Sequence, residues 1–513
     1  MSRFFAFPVQ TGLFVAVLCT PLQAQTVVSG TQSAVTIPGD ISISASTSAT
    51  FTGGTTFTGA NATLGTNAVL NWQQVVTLAS KAFTFGSGAY VYLNSVNAAF
   101  TIDPTSTLTG DIRILADGST GTVLTNQGTI NHTHASSGQL YARTFNNSGL
   151  ITATAGTLEI GSTSAGYNTF NTGTITANGA AAIVEINGNV ANTGSGILRA
   201  ENSGTLHFGG TNTTANLGTV QIATGGHARI QGTITNTAAT LPAPTGGSYE
   251  LYGGTILNGS VASNALTFTS SGGTLNGATL LGTVNIPANT HSNIASTSGP
   301  AGMTGASVTW GNNAYFYLSN VNAAFTIDPT STLTGDIRIL ADGSTGTVLT
   351  NQGAINHTHA SSGQLYARTF NNSGPITATA GTLEIGSTSA GYNTFNTGTI
   401  TANGAAAIVE INGNVANTGT GILRAENFGT LHFGGTNTTA NLGTVQIATG
   451  GHARIQGTIT NTAATLPAPT GGSYELYGGT ILNGSVASNA LTFTSSGGTL
   501  NGATLLGTVN IPA

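Results

Sequence analysis

The chain has 513 residues, with 10 Lys or Arg, 15 Asp or Glu and 73 Gly. A mean hydropathy of +0.16 argues against a charge-driven disordered chain, which needs low hydrophobicity and high net charge. A net charge of −5 and a single lysine, Lys81, leave almost nothing to neutralise phosphates. That excludes nucleic-acid binding through a basic face.

Residues 1–24 read as a secretory leader. Arg3 supplies the positive start, Gly12 to Cys19 form an apolar stretch too short to span a bilayer, and Leu22-Gln23-Ala24 gives a cleavage site before Gln25. Cleavage there removes Cys19, the only cysteine, so the mature chain cannot lean on disulfides. Export is expected, to the extracellular space or a bacterial outer surface. No later run of 18 apolar residues announces a transmembrane helix.

Residues 25–82 read as a β-rich segment, cap and first coils. Residues 83–288 and 308–513 then read as two units joined by a Ser/Thr/Gly-rich connector at 289–307. Positions 96–288 recur at 321–513 with an offset of 225 residues and four differences: Thr129/Ala354, Leu150/Pro375, Ser195/Thr420 and Ser203/Phe428. Such near-identity reflects recent duplication. Inside each unit, Asn-x-Gly-x-(Ile/Val) begins at Asn126, Asn147, Asn171, Asn192 and Asn216 (the Asn192 copy with one residue inserted before Ile197), in steps of 21, 24, 21 and 24 residues. A second short strand signal follows each, including Leu140-Tyr141-Ala142, Leu158-Glu159-Ile160 and Leu206-His207-Phe208. Short alternating strands with Gly/Asn corners at this period mark a β-solenoid, in which stacked coils close a core that no single repeat can bury. Leu158 and Ile160 should point inward and Glu159 outward. Gly149, Gly173 and the Asn-Gly pairs at 178–179, 187–188, 258–259 and 276–277 should supply positive φ at corners. Asn side chains stacked from coil to coil should hydrogen-bond as a ladder. Roughly 20 coils about 4.8 Å apart make a rod on the order of 100 Å long.

FNNSGLITATAGTLEIG (145–161) and FNTGTITANG (170–179) resemble the passenger repeats of bacterial autotransporter and filamentous-haemagglutinin-like surface proteins. The resemblance implies a right-handed parallel β-helix, surface display and adhesion. The expected fold is therefore all-β: a right-handed parallel β-helix of about 20–25-residue coils in a long tandem duplication. The pattern's C-terminal membrane β-barrel and sorting signal are not read before Ala513, which points to a fragment of a longer array or another mode of retention.

Charged residues fall in the outward slot of apolar-x-apolar strands at Arg113, Glu159, Glu185, Arg229 and Glu250, with Tyr141 and His207 in the same slot. Stacking aligns them in a polar stripe along one face, repeated at Arg338, Tyr366, Glu384, Glu410, His432, Arg454 and Glu475. The plain reading is a solvated face. The sharper one is a surface for glycan hydroxyls or other cell-surface components. Glu159 and Glu185 in neighbouring coils would set their carboxyls about 5 Å apart, near the separation of a retaining glycosidase pair. The same spacing arises in any in-register ladder, and a non-catalytic role is expected. His132-x-His134 reads as an ordinary exposed pair, and Asp103, Asp111 and Asp117 as turn residues. Thr174-Ile175-Thr176 and Thr152-Ala153-Thr154 resemble the rows of ice-binding solenoids. No catalytic residue, metal site or cofactor is expected. The function read here is a secreted or surface-displayed adhesive spacer, with lateral or end-to-end self-association left open. A polysaccharide-acting enzyme is the alternative.

Overall fold

The structure, a computed structural model, describes residues 25–511 apart from 117–119, 163–165, 188, 342, 388, 390 and 413. The leader and the Asp117-Gly118 turn read from the sequence lie outside the described residues. The chain is 54% strand and 2% helix, and winds into a β-solenoid of about 21 turns. No helix among the described residues is long and apolar enough to cross a membrane.

One coil shows why. Leu150–Ala153, Gly156–Ile160 and Asn168–Asn171 are short strands on three sides of the coil. Each is hydrogen-bonded in parallel to the equivalent strand of the next coil. Ile151, Ala153, Leu158 and Ile160 point inward and are fully buried, whereas Glu159 is half-exposed. Burying each such Leu or Ile is worth about 1.5–3 kcal/mol, and stacking supplies the partner surface that a lone coil lacks.

The third side of each coil ends on an inward asparagine. Asn126 Nδ2 donates to Asn147 Oδ1, Asn147 to Asn171 and Asn171 to Asn192, each at 2.7 Å. Asn192 closes the row by donating to Leu217 O at 2.7 Å. The fifth member of the sequence pattern, Asn216, does not join. It sits in a helical turn, Thr214–Leu217, where the Thr213 hydroxyl accepts from its amide. Beside the ladder, Gly149 and Gly173 do not hold positive φ, contrary to expectation. They are glycines because a Cβ at either would lie 2.1 Å from the carbonyl oxygen one coil below. Asn258 and Gly259 do take the left-handed turn, at φ +63° and +61°.

The 289–307 stretch, expected as a connector, is built into the coils. His291–Ala295 pairs with Thr274–Asn276 on one edge and Tyr315–Leu318 on the other. Ala301–Trp310 pairs back to Thr279–Ile286. Forward, its Ala301–Met303 part pairs with Phe325–Ile327 and its Ser307–Trp310 part with Thr332–Gly335. Gly305 at φ +57° lies between these two parts, where one strand passes from one side of the coil to the next. The core runs unbroken through this region: Phe268 and Phe316 rings lie 5.4 Å apart, and Trp310 Nε1 donates to Ala314 O at 2.8 Å.

This region also turns the second unit relative to the first. In the first unit the side carrying Tyr90–Leu93 forms a twelve-stranded sheet that ends at Leu266–Phe268. The following side, opened by Thr211–Thr213, continues through Thr274–Asn276 and His291–Ala295 into Tyr315–Leu318. Tyr315–Leu318 is the duplicate of Tyr90–Leu93, so equivalent strands stand one side apart. One strand here covers two sides: Thr279–Leu280 pairs with Ser260–Val261 on the preceding side, and after a register break Thr283–Ile286 stands beyond Leu266–Phe268 on the twelve-stranded side, before the chain turns through Pro287 and Asn289 (φ +58°) to the following side.

The four positions that differ between units are outward or at corners. Leu150 and Pro375 begin their strands, where proline forgoes only the bond that Leu150 N makes to Gly128 O at 2.9 Å.

Candidate functional site

The stripe forms on the twelve-stranded sheet, one residue per coil. In register order it runs Arg113, Gln139, Glu159, Glu185, His207, Arg229, Glu250. Sequence reading put Tyr141 in this row, and the structure corrects it. The strand is Ser137–Leu140, so Gln139 holds the slot. Gly138 is the inward residue that displaced the expected pattern. A Cβ there would lie 2.6 Å from His132 Nδ1 and 2.6 Å from Ile112 O. Tyr141 still belongs to the site, because its hydroxyl donates to Glu159 Oε2. Gln139 Nε2 donates to the same oxygen at 3.4 Å. Burial, then this bond to Glu159, pushes the Tyr141 phenol above its ordinary range.

The two ends of the row are internally neutralised. Arg113 Nη2 lies 3.2 Å from Asp111 Oδ2. Asp111, read as a turn residue, is fully buried and accepts from Gly88 N at 2.7 Å. Burial alone would raise its pKa, but the Gly88 amide, Ser136 and Arg113 hold it below the usual value. At the other end Arg229 Nε donates to Glu250 Oε2 at 2.9 Å, and His227 Nδ1 lies 2.5 Å from Glu250 Oε1. The Arg229 guanidinium sits 4.8 Å over the Tyr252 ring. Glu250, pushed up by burial, is held low overall by Arg229 and His227. His207, next to Arg229, is pushed down to about 4, by burial first and by the Arg229 charge second. Between these ends Glu159 and Glu185 are register neighbours, and neither is in an ion pair among the described residues.

The duplicate stripe repeats this arrangement: Arg338, Gln364, Glu384, Glu410, His432, Arg454, Glu475. Tyr366 donates to Glu384, and Arg454 to Glu475 at 2.9 Å. The two stripes do not share one face, as the sequence suggested, because the second unit is turned by one side. Gln139, His227 and Tyr252 escaped the sequence reading. The period-2 alternation of Tyr249–Leu251 extends to Tyr252, and that signal would have found it.

His132 is not an exposed residue. It ends the strand Thr129–His132 facing inward, fully buried, with Nδ1 accepting from Ile112 N at 3.3 Å and Nε2 donating to Ser136 O at 3.1 Å. Burial lowers its pKa, with the Ser136 carbonyl and Asp111 pulling the other way. His134 lies beyond the strand and contacts Ser136 Oγ at 2.9 Å. Among the described residues no group of three His, Cys, Asp or Glu is placed to hold a metal ion. The threonine rows lie on a different side, where Thr152 pairs with Thr176, and Arg199 in the next coil interrupts them.

Compared with known proteins, the chain matches no family model, no curated protein and no solved structure.

Proposed function

We propose that the protein is an exported, non-catalytic rod that displays two polar stripes for binding polysaccharide at a cell surface, in the manner of a β-solenoid adhesin. The observation that carries this reading is the row Gln139–Glu159–Glu185–His207–Arg229–Glu250, in register along the axis of a rigid sheet. Hydroxyl-rich chains are extended and repetitive, and such a row offers them acceptors and donors at a repeating spacing of about 4.8 Å. Charge narrows the ligand. Asp111 and Glu250 already neutralise the arginines, which leaves the central carboxylates Glu159 and Glu185. Neutral or amine-bearing sugars suit that centre, and uronates are repelled.

Affinity electrophoresis of the purified protein through gels holding a neutral glucan, an amino-sugar polymer or a polyuronate tests this. Retardation by either of the first two and not the third is expected, weakened about tenfold by Glu185→Gln with Glu410→Gln. Free migration in all three overturns the proposal.

The register of Glu159 against Glu185 favours one second reading, a glycan-cleaving carboxylate pair. Release of reducing ends that Glu159→Gln with Glu384→Gln abolishes would establish it.

A further inference from the structure

We propose that the two stripes act on separate ligand chains, so that one molecule of this protein cross-links polysaccharide instead of gripping a single strand twice. This rests on the polysaccharide-binding reading above and adds to it the turn between the units.

The argument is topological. A ligand lying straight along the first stripe leaves it beyond Glu250 and Thr267. What stands next on that line is not the second stripe. Asn264 N donates to Thr283 O at 2.9 Å. From there Thr283–Ile286 pairs with Ser307–Trp310, and that strand pairs with Thr332–Gly335. Straight ahead of the first stripe therefore lies the side of the second unit that precedes its stripe strand, Arg338–Ala341. Its outward row there runs Thr334, Asn356, Thr377 and Thr401 before it reaches Arg424, with none of the carboxylates of the stripe. The second stripe instead continues the line of Thr233–Thr235, Thr255–Leu257 and Thr274–Asn276. Tandem sites raise affinity for one ligand only where geometry permits both to engage it at once. Two sites with identical chemistry and different outlooks meet that condition for two strands, not for one.

The test combines a ligand readout with a geometric one. In the first, the full chain is mixed with whichever long-chain probe retards it, neutral glucan or amino-sugar polymer, and light scattering follows network formation. The parent should cross-link the probe. Glu159→Gln with Glu185→Gln, or Glu384→Gln with Glu410→Gln, should abolish cross-linking while the remaining stripe binds within about twofold of the parent's affinity. A loss of a hundredfold or more in either variant would show both stripes on one strand and overturn the inference. In the second, Glu185→Cys and Glu410→Cys in one molecule are tagged with gold clusters and viewed by electron microscopy. Tags on different sides of the rod support the turn, and tags in line along one side overturn it whatever the ligand result. Absence of binding to any probe, with tags on different sides, removes the ligand reading and with it the cross-linking.

Discussion

Asn147 and Asn171 face one another across a single coil, the Nδ2 of the first 2.7 Å from the Oδ1 of the second. Both are buried, and each is donor to one neighbour and acceptor from the other. A row like this fixes register: slipping one coil by a residue would swing an amide out of the core and strand its neighbours' polar atoms.

Asn147→Ala should therefore cost about 1–3 kcal/mol, because Asn126 Nδ2 and Asn171 Oδ1 lose their partner inside the protein. Asn146→Ala, on the same strand but facing out, should stay within about 0.5 kcal/mol. Urea unfolding with hydrogen exchange at the flanking coils measures both. Equal losses would show that the ladder is not what holds this side.

Gly138→Ala should destabilise by about 1–3 kcal/mol, since the added methyl meets the His132 ring and the Ile112 carbonyl. Thermal unfolding of this variant beside Gln139→Ala, which faces out, checks it. A smaller loss in Gly138→Ala than in Gln139→Ala would contradict the inward assignment.

Stability should fall on acidification from about pH 6.5. His132 and His357 are held below the ordinary histidine value by burial, and His207 and His432 are pushed down to about 4. The unfolded chain then takes up protons that the folded chain refuses, so stability is complete above the unfolded value and is lost as pH drops toward the folded one. Glu250 and Glu475, held below 4.5, add a loss of the same sign at lower pH. Urea midpoints at pH 7.5, 6 and 5 should decline in that order, less steeply in His207→Gln with His432→Gln. A midpoint that rises toward pH 5 would refute the assignment.

Gly305→Val should cost about 1–3 kcal/mol, because a β-branched residue at φ +57° is strained although a Cβ there would meet only Thr330 Oγ1, at 3.8 Å. Thr304→Val, on the exposed neighbour, should be near neutral. Hydrogen exchange over Ala301–Trp310 reports both, and comparable protection in the two variants would mean the bend does not need glycine.

The coils were legible because Leu, Ile and Val alternate with polar residues over short strands, as in Leu158-Glu159-Ile160. The asparagine ladder was legible because Asn-x-Gly recurs once per coil, in steps that alternate between 21 and 24 residues, although the last copy, Asn216, falls in the helical turn instead. Three features were not. Gly138 fills an inward slot without any apolar signature, which moved the apparent strand to Leu140-Tyr141-Ala142 and put Tyr141 where Gln139 belongs. His132 is polar and was assigned to the surface, whereas its two ring nitrogens are both satisfied by backbone groups in the core. The turn between the units depends on which edge His291–Ala295 pairs with, and pairing between distant strands leaves no mark in a Ser/Thr-rich stretch.

The ladder bonds that join each coil to the next run along the length of the rod. Tension applied at the two ends therefore bears on them a few at a time, opening the terminal coil before the one beneath it, instead of loading all of them together in shear. Such a rod gives way under force in many small steps, each paying out one coil of slack.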